Sequence, residues 1–133
     1  MNALDKVIAG AGVAGFIAGV AIAAGPFLPV DARQVLDGAG GQQVGIVVTD
    51  DPALNCAAHV RGGCFRPATP NTIYVATSLH GAALRYVVLH EYSHVRQHAA
   101  GRPLDECEAD RMAVDAGADP SRAHYLPTCG GAS

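Results

Sequence analysis

Residues 90 to 94 read His-Glu-Tyr-Ser-His and residues 106 to 110 read Glu-Cys-Glu-Ala-Asp, with Gly101-Arg-Pro103 standing between them. No other stretch of the chain restricts the fold so tightly. Two His at i and i+4 lie on one face of a helix, one turn apart. That spacing lets both imidazoles reach one zinc ion while the Glu between them reaches a water at the metal. Zinc used in catalysis needs a third protein ligand and an open fourth position. A ligating His also needs a carboxylate or carbonyl to orient its ring. By residue type, the downstream Glu and Asp supply both.

Helix geometry decides whether they arrive. Leu84, Val87, Val88 and Val95 recur at helical spacing and predict a helix from about Gly81 to Ala99. Gly101-Arg-Pro103 breaks it, and Pro suits the first turn of a following helix, predicted from about Pro103 to Ala116 and stopped by Gly117. So short a connection makes the two helices antiparallel neighbours. At about 1.5 Å per residue, His94 lies about 10 Å before the break and Glu106 about 7 Å after it. Glu106 thus returns level with His94, and Asp110, one turn on, level with His90. Glu108, the competing third ligand, lies about 200° around the helix from Glu106 and should face away. The blander reading is a solvated polar face followed by the acidic first turn that a helix dipole favours. The arrival of Glu106 and Asp110 in register argues against it. His98 continues the row but sits too far along to share the ion, and is expected at the surface.

HExxH followed by Glu in an ExxxD setting resembles the gluzincin metallopeptidases, and among them the minimal single-lobe ones, over about residues 43 to 116. The resemblance implies a small zincin-like α+β domain, with a short β-sheet packed on the HExxH helix and an antiparallel Glu-bearing helix after it. It implies one Zn2+ per chain held by His90, His94 and Glu106, with Glu91 as general base and Asp110 as the partner of His90. The implied function is zinc-dependent hydrolysis of a peptide bond in a peptide or protein substrate by a metal-activated water. Glu91 would take the water proton and pass it to the leaving amine. The resemblance also implies an edge strand that lines the cleft and takes up substrate by strand addition, for which Thr72 to Thr77 is the nearest candidate. A plain core strand is the alternative. The chain departs from the larger enzymes in the short gap between His94 and Glu106, and in having no sizeable C-terminal lobe to wall a cleft. A donor for the developing oxyanion is also missing. His124 and Tyr125 are candidates by residue type, against a reading as ordinary surface residues. The non-catalytic alternative is a zinc-stabilised binding or regulatory module of the cell envelope.

The N-terminal residues 1–30 stand apart from the domain predicted over 31–133. From Val7 to Val30 there is no charge, and Lys6 precedes the stretch. Small residues at Ala21-Ile-Ala23 suit a cleavage site, so the segment reads as a secretory signal peptide. An uncleaved membrane anchor is the rival, since about 20 apolar residues suffice to span a bilayer. Either way the expected location is secreted or cell envelope, with membrane contact only through residues 7–30.

The four cysteines, Cys56, Cys64, Cys107 and Cys129, agree with export, because an even count in a small exported domain points to two disulfides. Three pairings are open, and Cys56–Cys64 with Cys107–Cys129 is preferred. The first would close a short loop containing Gly62-Gly63. The second would tie the tail to the Glu106 helix. Cys107 as a zinc ligand is a weaker alternative. So is Cys64, on the similarity of Gly63-Cys64 upstream of HExxH to peptide deformylases, whose further residues do not match. With a net charge of −3, a single Lys and no basic run, nothing points to nucleic acid, and no nucleic-acid partner is expected.

The remaining elements follow from local signals. Asp31 suits the N-cap of a short helix from Ala32 to Asp37. Val44 to Thr49 and Thr72 to Thr77 are β-branched apolar runs and predict strands. Residues 53–70 are expected to form a loop, and Asp119-Pro-Ser a turn into a short helix near His124 and Tyr125.

Overall fold

The computed structural model describes residues 31–52, 56, 59–60 and 62–129. The expected signal peptide or anchor lies outside them. Helix α1 spans Ala32–Gly38. Asp31 caps it by accepting from the Gln34 backbone, while the Gln34 side chain accepts from the Asp31 N–H, a reciprocal box that satisfies two donors at the helix start. The Arg33 guanidinium donates to the carbonyls of Gly41 and Val44 at 2.7 Å each, which fixes how α1 leads into the first strand.

Four strands follow: β1 Gly45–Thr49, β2 His59–Val60, β3 Gly63–Phe65 and β4 Thr72–Ala76. They form one sheet in the order β1-β4-β3-β2. β1 runs parallel to β4, with Ile46 opposite Ile73. β4 runs antiparallel to β3, with Val75 opposite Gly63 and Ile73 opposite Phe65. Helix α2 spans Gly81–Ala99 and α3 spans Glu106–Asp115; a 3-10 turn at Pro120–Arg122 and the short α4, Leu126–Cys129, complete the described chain. The domain is thus mixed α+β. Leu36 of α1, Ile73 and Val75 of β4, Phe65 of β3 and Val87, Val88 and Leu89 of α2 share one core. Leu84, Val87, Val88 and Val95 are all buried, as their helical spacing predicts.

Three expectations are corrected. β4 is a central strand, flanked by β1 and β3, so the segment from Thr72 is not the sheet edge that the resemblance implied. The supposed loop over 53–70 contains the β2–β3 hairpin, turned at Gly62, whose φ of 88° favours glycine. Helix α3 starts three residues later than predicted. Asp105 is its N-cap and accepts from the Glu108 N–H at 3.0 Å, and that bond sets the start more strongly than the preference of Pro for a first turn.

Both disulfides pair as preferred. Cys56–Cys64 has its Cα atoms 6.2 Å apart and Cys107–Cys129 has them 5.9 Å apart. All four sulfurs are therefore engaged, which removes Cys64 and Cys107 from the set of candidate ligands. The disulfides are compatible with an extracytoplasmic location. Among the described residues no helix is long and apolar enough to cross a membrane.

β3 meets α2 at a point where only glycine fits. A Cβ on Gly63 would run into Val87 Cγ1 and would stand 3.2 Å from Glu91 Cγ. Overpacking of this kind typically costs about 1–3 kcal/mol. Gly63→Ala is therefore expected to lower stability by about that amount in urea unfolding. An unchanged midpoint would mean that β3 does not approach α2 so closely.

Candidate metal centre

The HExxH segment lies in the middle of α2, and the first residue of α3 faces it. His90 Nε2 is 2.8 Å and His94 Nε2 is 2.9 Å from the same atom, Glu106 Oε1. The donor atoms of the three residues all lie within 4.8 Å of one another, so the group can hold a metal ion. The two imidazole rings meet edge-on, with centroids 4.8 Å apart and planes 86° apart, as residues one helical turn apart do when both reach toward one point. The later His of α2 meets the start of α3, and the earlier His meets Asp110 one turn on. The two helices therefore run antiparallel.

Each His is held from behind. His90 Nδ1 bonds Asp110 Oδ1 at 2.7 Å, and His94 Nδ1 bonds Gln97 Oε1 at 2.8 Å. Asp110 is fully buried and also accepts from Tyr86 Oη at 2.7 Å and from the backbone N–H groups of Tyr125 at 2.6 Å and Leu126 at 3.1 Å. The Tyr86 hydroxyl in turn accepts from the His124 N–H at 3.1 Å. One carboxylate thus joins α2, α3 and the tail. A buried charge is tolerable only with such a set of donors around it.

The electrostatics of the metal-free chain follow from burial and these bonds. Burial pushes the Glu91 carboxyl up to about 7, against the pull of His90 and His94 and with the help of Glu106. Its Oε2 is buried with no hydrogen-bond partner. Glu106 is lowered to about 2 by its bonds with His90 and His94. Burial alone would lower His90, but its bonds to Asp110 and Glu106 prevail and raise it to about 9. His94 is raised for similar reasons, its bonds to Glu106 and Gln97 outweighing burial. Burial acts to raise Asp110, yet the bonds from His90, Tyr86 and the Tyr125 backbone bring it below the usual carboxylate range.

The other residues singled out in the sequence are placed as follows. Glu108 turns away from the cluster and accepts from Gln97 Nε2 at 2.8 Å and from Arg102. His98 is exposed, with its ring 5.7 Å from that of Phe65. The Tyr125 ring stacks on His90, with centroids 5.8 Å and planes 22° apart, which brings it beside the cluster. His124 is exposed and meets Tyr125 edge-on at 4.8 Å. Two residues of the site went unnoticed in the sequence, Tyr86 and Gln97. Their signal was positional: Tyr86 stands four residues before His90 and Gln97 three after His94, so each shares the face of the nearby His, Gln97 bonding His94 directly and Tyr86 bonding the Asp110 that holds His90.

The chain matches no known protein-family model, no curated protein and no solved structure.

Proposed function

We propose that the chain is a zinc-dependent peptide hydrolase of gluzincin kind, with His90, His94 and Glu106 holding one zinc ion and Glu91 as general base. Two imidazole nitrogens and one carboxylate oxygen form a donor set that zinc takes in hydrolytic sites, leaving room for a fourth ligand. The observation that carries the reading is Glu91. A buried carboxylate oxygen without a partner is rare and calls for an explanation, of which a catalytic role is one. Glu91 stands between the two His in sequence, on the element that bears them. A zinc ion, once bound, supplies a Lewis acid that polarises a carbonyl and acidifies water. Glu91 would accept a proton from water and return it to a leaving amine. Asp110 holds the His90 ring so that Nε2 points into the cluster. Tyr125, stacked on His90, is the candidate to face the developing oxyanion, with His124 behind it. The substrate class is a peptide or protein, met in the cell envelope or outside it.

A second reading has its own support. His90, Glu91 and His94 are only 0%, 1% and 5% exposed. Among the cluster only the Glu106 side chain, at 32%, reaches solvent substantially. Such coverage suits a closed zinc site that stabilises a non-enzymatic binding or regulatory module.

Both readings require the metal. Elemental analysis of the purified protein should give about one zinc per chain, and a chelator should lower the unfolding temperature, because the stabilisation that zinc gives the folded state is lost. No zinc after refolding with the metal would sink both readings. A peptide-library digest then separates them: the hydrolase cuts peptides only when zinc-loaded, and the binding module cuts none.

A further inference from the structure

We propose that Gln97 is a positioning residue that determines which nitrogen of His94 faces the metal, and that through the same amide it sets where Glu106 stands. The proposal rests on the zinc reading above. Gln97 is fully buried, and its amide makes four bonds. Its Oε1 accepts from the Asp105 backbone N–H at 3.2 Å and bonds His94 Nδ1 at 2.8 Å. Its Nε2 donates to the Asp105 carbonyl at 3.0 Å and to Glu108 Oε1 at 2.8 Å.

The two ends of an amide have nearly the same shape, so its orientation must be argued from its partners. Here the backbone of a single residue decides. The Asp105 N–H can only donate and must meet the amide oxygen. The Asp105 carbonyl can only accept and must meet the NH2 group, as must the Glu108 carboxylate. Turning the amide over would set donor against donor at one end and acceptor against acceptor at the other. The oxygen therefore faces His94. Because that oxygen only accepts, His94 Nδ1 carries a proton. In the neutral ring the free lone pair is then on Nε2, the atom that shares Glu106 Oε1 with His90. The tautomer of one ligand is thus dictated by the peptide groups of Asp105, the residue just before another ligand. Asp105 also caps α3, so the same two bonds hold the start of the helix whose first residue is Glu106.

The two His are supported unequally. His90 has an anionic partner, Asp110, and His94 a neutral one. An acceptor behind a ligating imidazole orients it and raises its basicity, and loss of that acceptor typically weakens metal binding about 10- to 100-fold. Two variants of the full chain test the role of Gln97. Gln97→Met keeps the length and removes all four bonds. Gln97→Glu keeps acceptors for His94 and for the Asp105 N–H, but loses both donors and sets a carboxylate beside Glu108. In competition titrations of zinc against a chromogenic chelator, Gln97→Met is expected to bind about 10- to 100-fold more weakly. Gln97→Glu is expected to recover most of that affinity while unfolding at lower urea than the wild type. Affinity and stability then part company, which a residue that only packs does not produce. Affinity losses that merely follow stability losses in both variants overturn the proposal. So does equal zinc affinity in the wild type and Gln97→Met, which leaves the zinc reading standing. A wild-type chain that takes up no zinc removes the zinc reading and this proposal with it. One measurement needs no variant: in nitrogen-15 spectra of the zinc-loaded wild type, His94 Nδ1 should be the protonated nitrogen and Nε2 the ligating one. The reverse assignment overturns the proposal.

Discussion

Glu91→Gln is expected to fold, to bind zinc as the wild type does, and to cleave peptides at least about a hundredfold more slowly, the usual contribution of a positioned general base. The substitution keeps the shape of a side chain that is only 1% exposed and removes its capacity to take up and release a proton. Its effect on stability has the unusual sign. In the metal-free chain the Glu91 carboxyl titrates near 7 instead of 4.5, because burial penalises the charged form. A carboxyl raised in this way supports the fold fully below its unfolded value and loses that support as pH rises through 7. The loss is on the order of 3 kcal/mol once the group is ionised. Metal-free Glu91→Gln should therefore match the wild type near pH 4 and be the more stable protein at pH 8. Urea unfolding at the two pH values checks the stability, and a peptide digest with zinc-loaded protein checks the rate. Equal cleavage by the two proteins would place the base elsewhere or expose a contaminant.

Asp110→Ala is expected to produce the largest structural loss of any single change at the site. The carboxylate is fully buried and accepts from Tyr86, His90 and two backbone N–H groups. Removing it leaves four donors without an acceptor. Breaking buried charged pairs by deleting one partner costs about 3–5 kcal/mol, and loss of the acceptor behind a ligating His weakens metal binding about 10- to 100-fold. Asp110→Asn should be little better. Its amide presents an acceptor at one end only, so its NH2 must face either His90 and Tyr86 or the two backbone N–H groups. Urea unfolding and zinc titration of both variants measure this. Unchanged zinc affinity in Asp110→Ala would show that the Asp110 contact does not orient His90 for the metal.

How much of this was legible in the sequence depended on how local the signal was. The span of α2 and the return of Glu106 and Asp110 to their His follow from helical pitch and one Gly–Pro break, all within residues 81–110. The α3 start was misplaced because two local signals competed there, and the Asp105 cap prevailed over Pro103. The β2–β3 hairpin was missed because strands of two and three residues are too short to show alternation. Whether β4 lay at an edge could not be read from its own residues. That depends on pairing with β1 and β3, and β3 had not been recognised as a strand. Gln97 was overlooked for a different reason: a polar residue on a helix reads as solvated until its partner, the backbone of Asp105, is in place across the turn.

The tail contacts of Asp110 also have a consequence in time. A chain is made from its N-terminus. His90 and His94 appear first, then Glu106 and Asp110, and only afterwards the backbone donors of residues 125 and 126 that complete the shell around Asp110. Until those residues emerge, the carboxylate that aims His90 lacks two of its four partners. The cluster is therefore completed last, after nearly all of the described fold has left the ribosome, and a partly emerged chain would carry His90, His94 and Glu106 without the full set of contacts around Asp110.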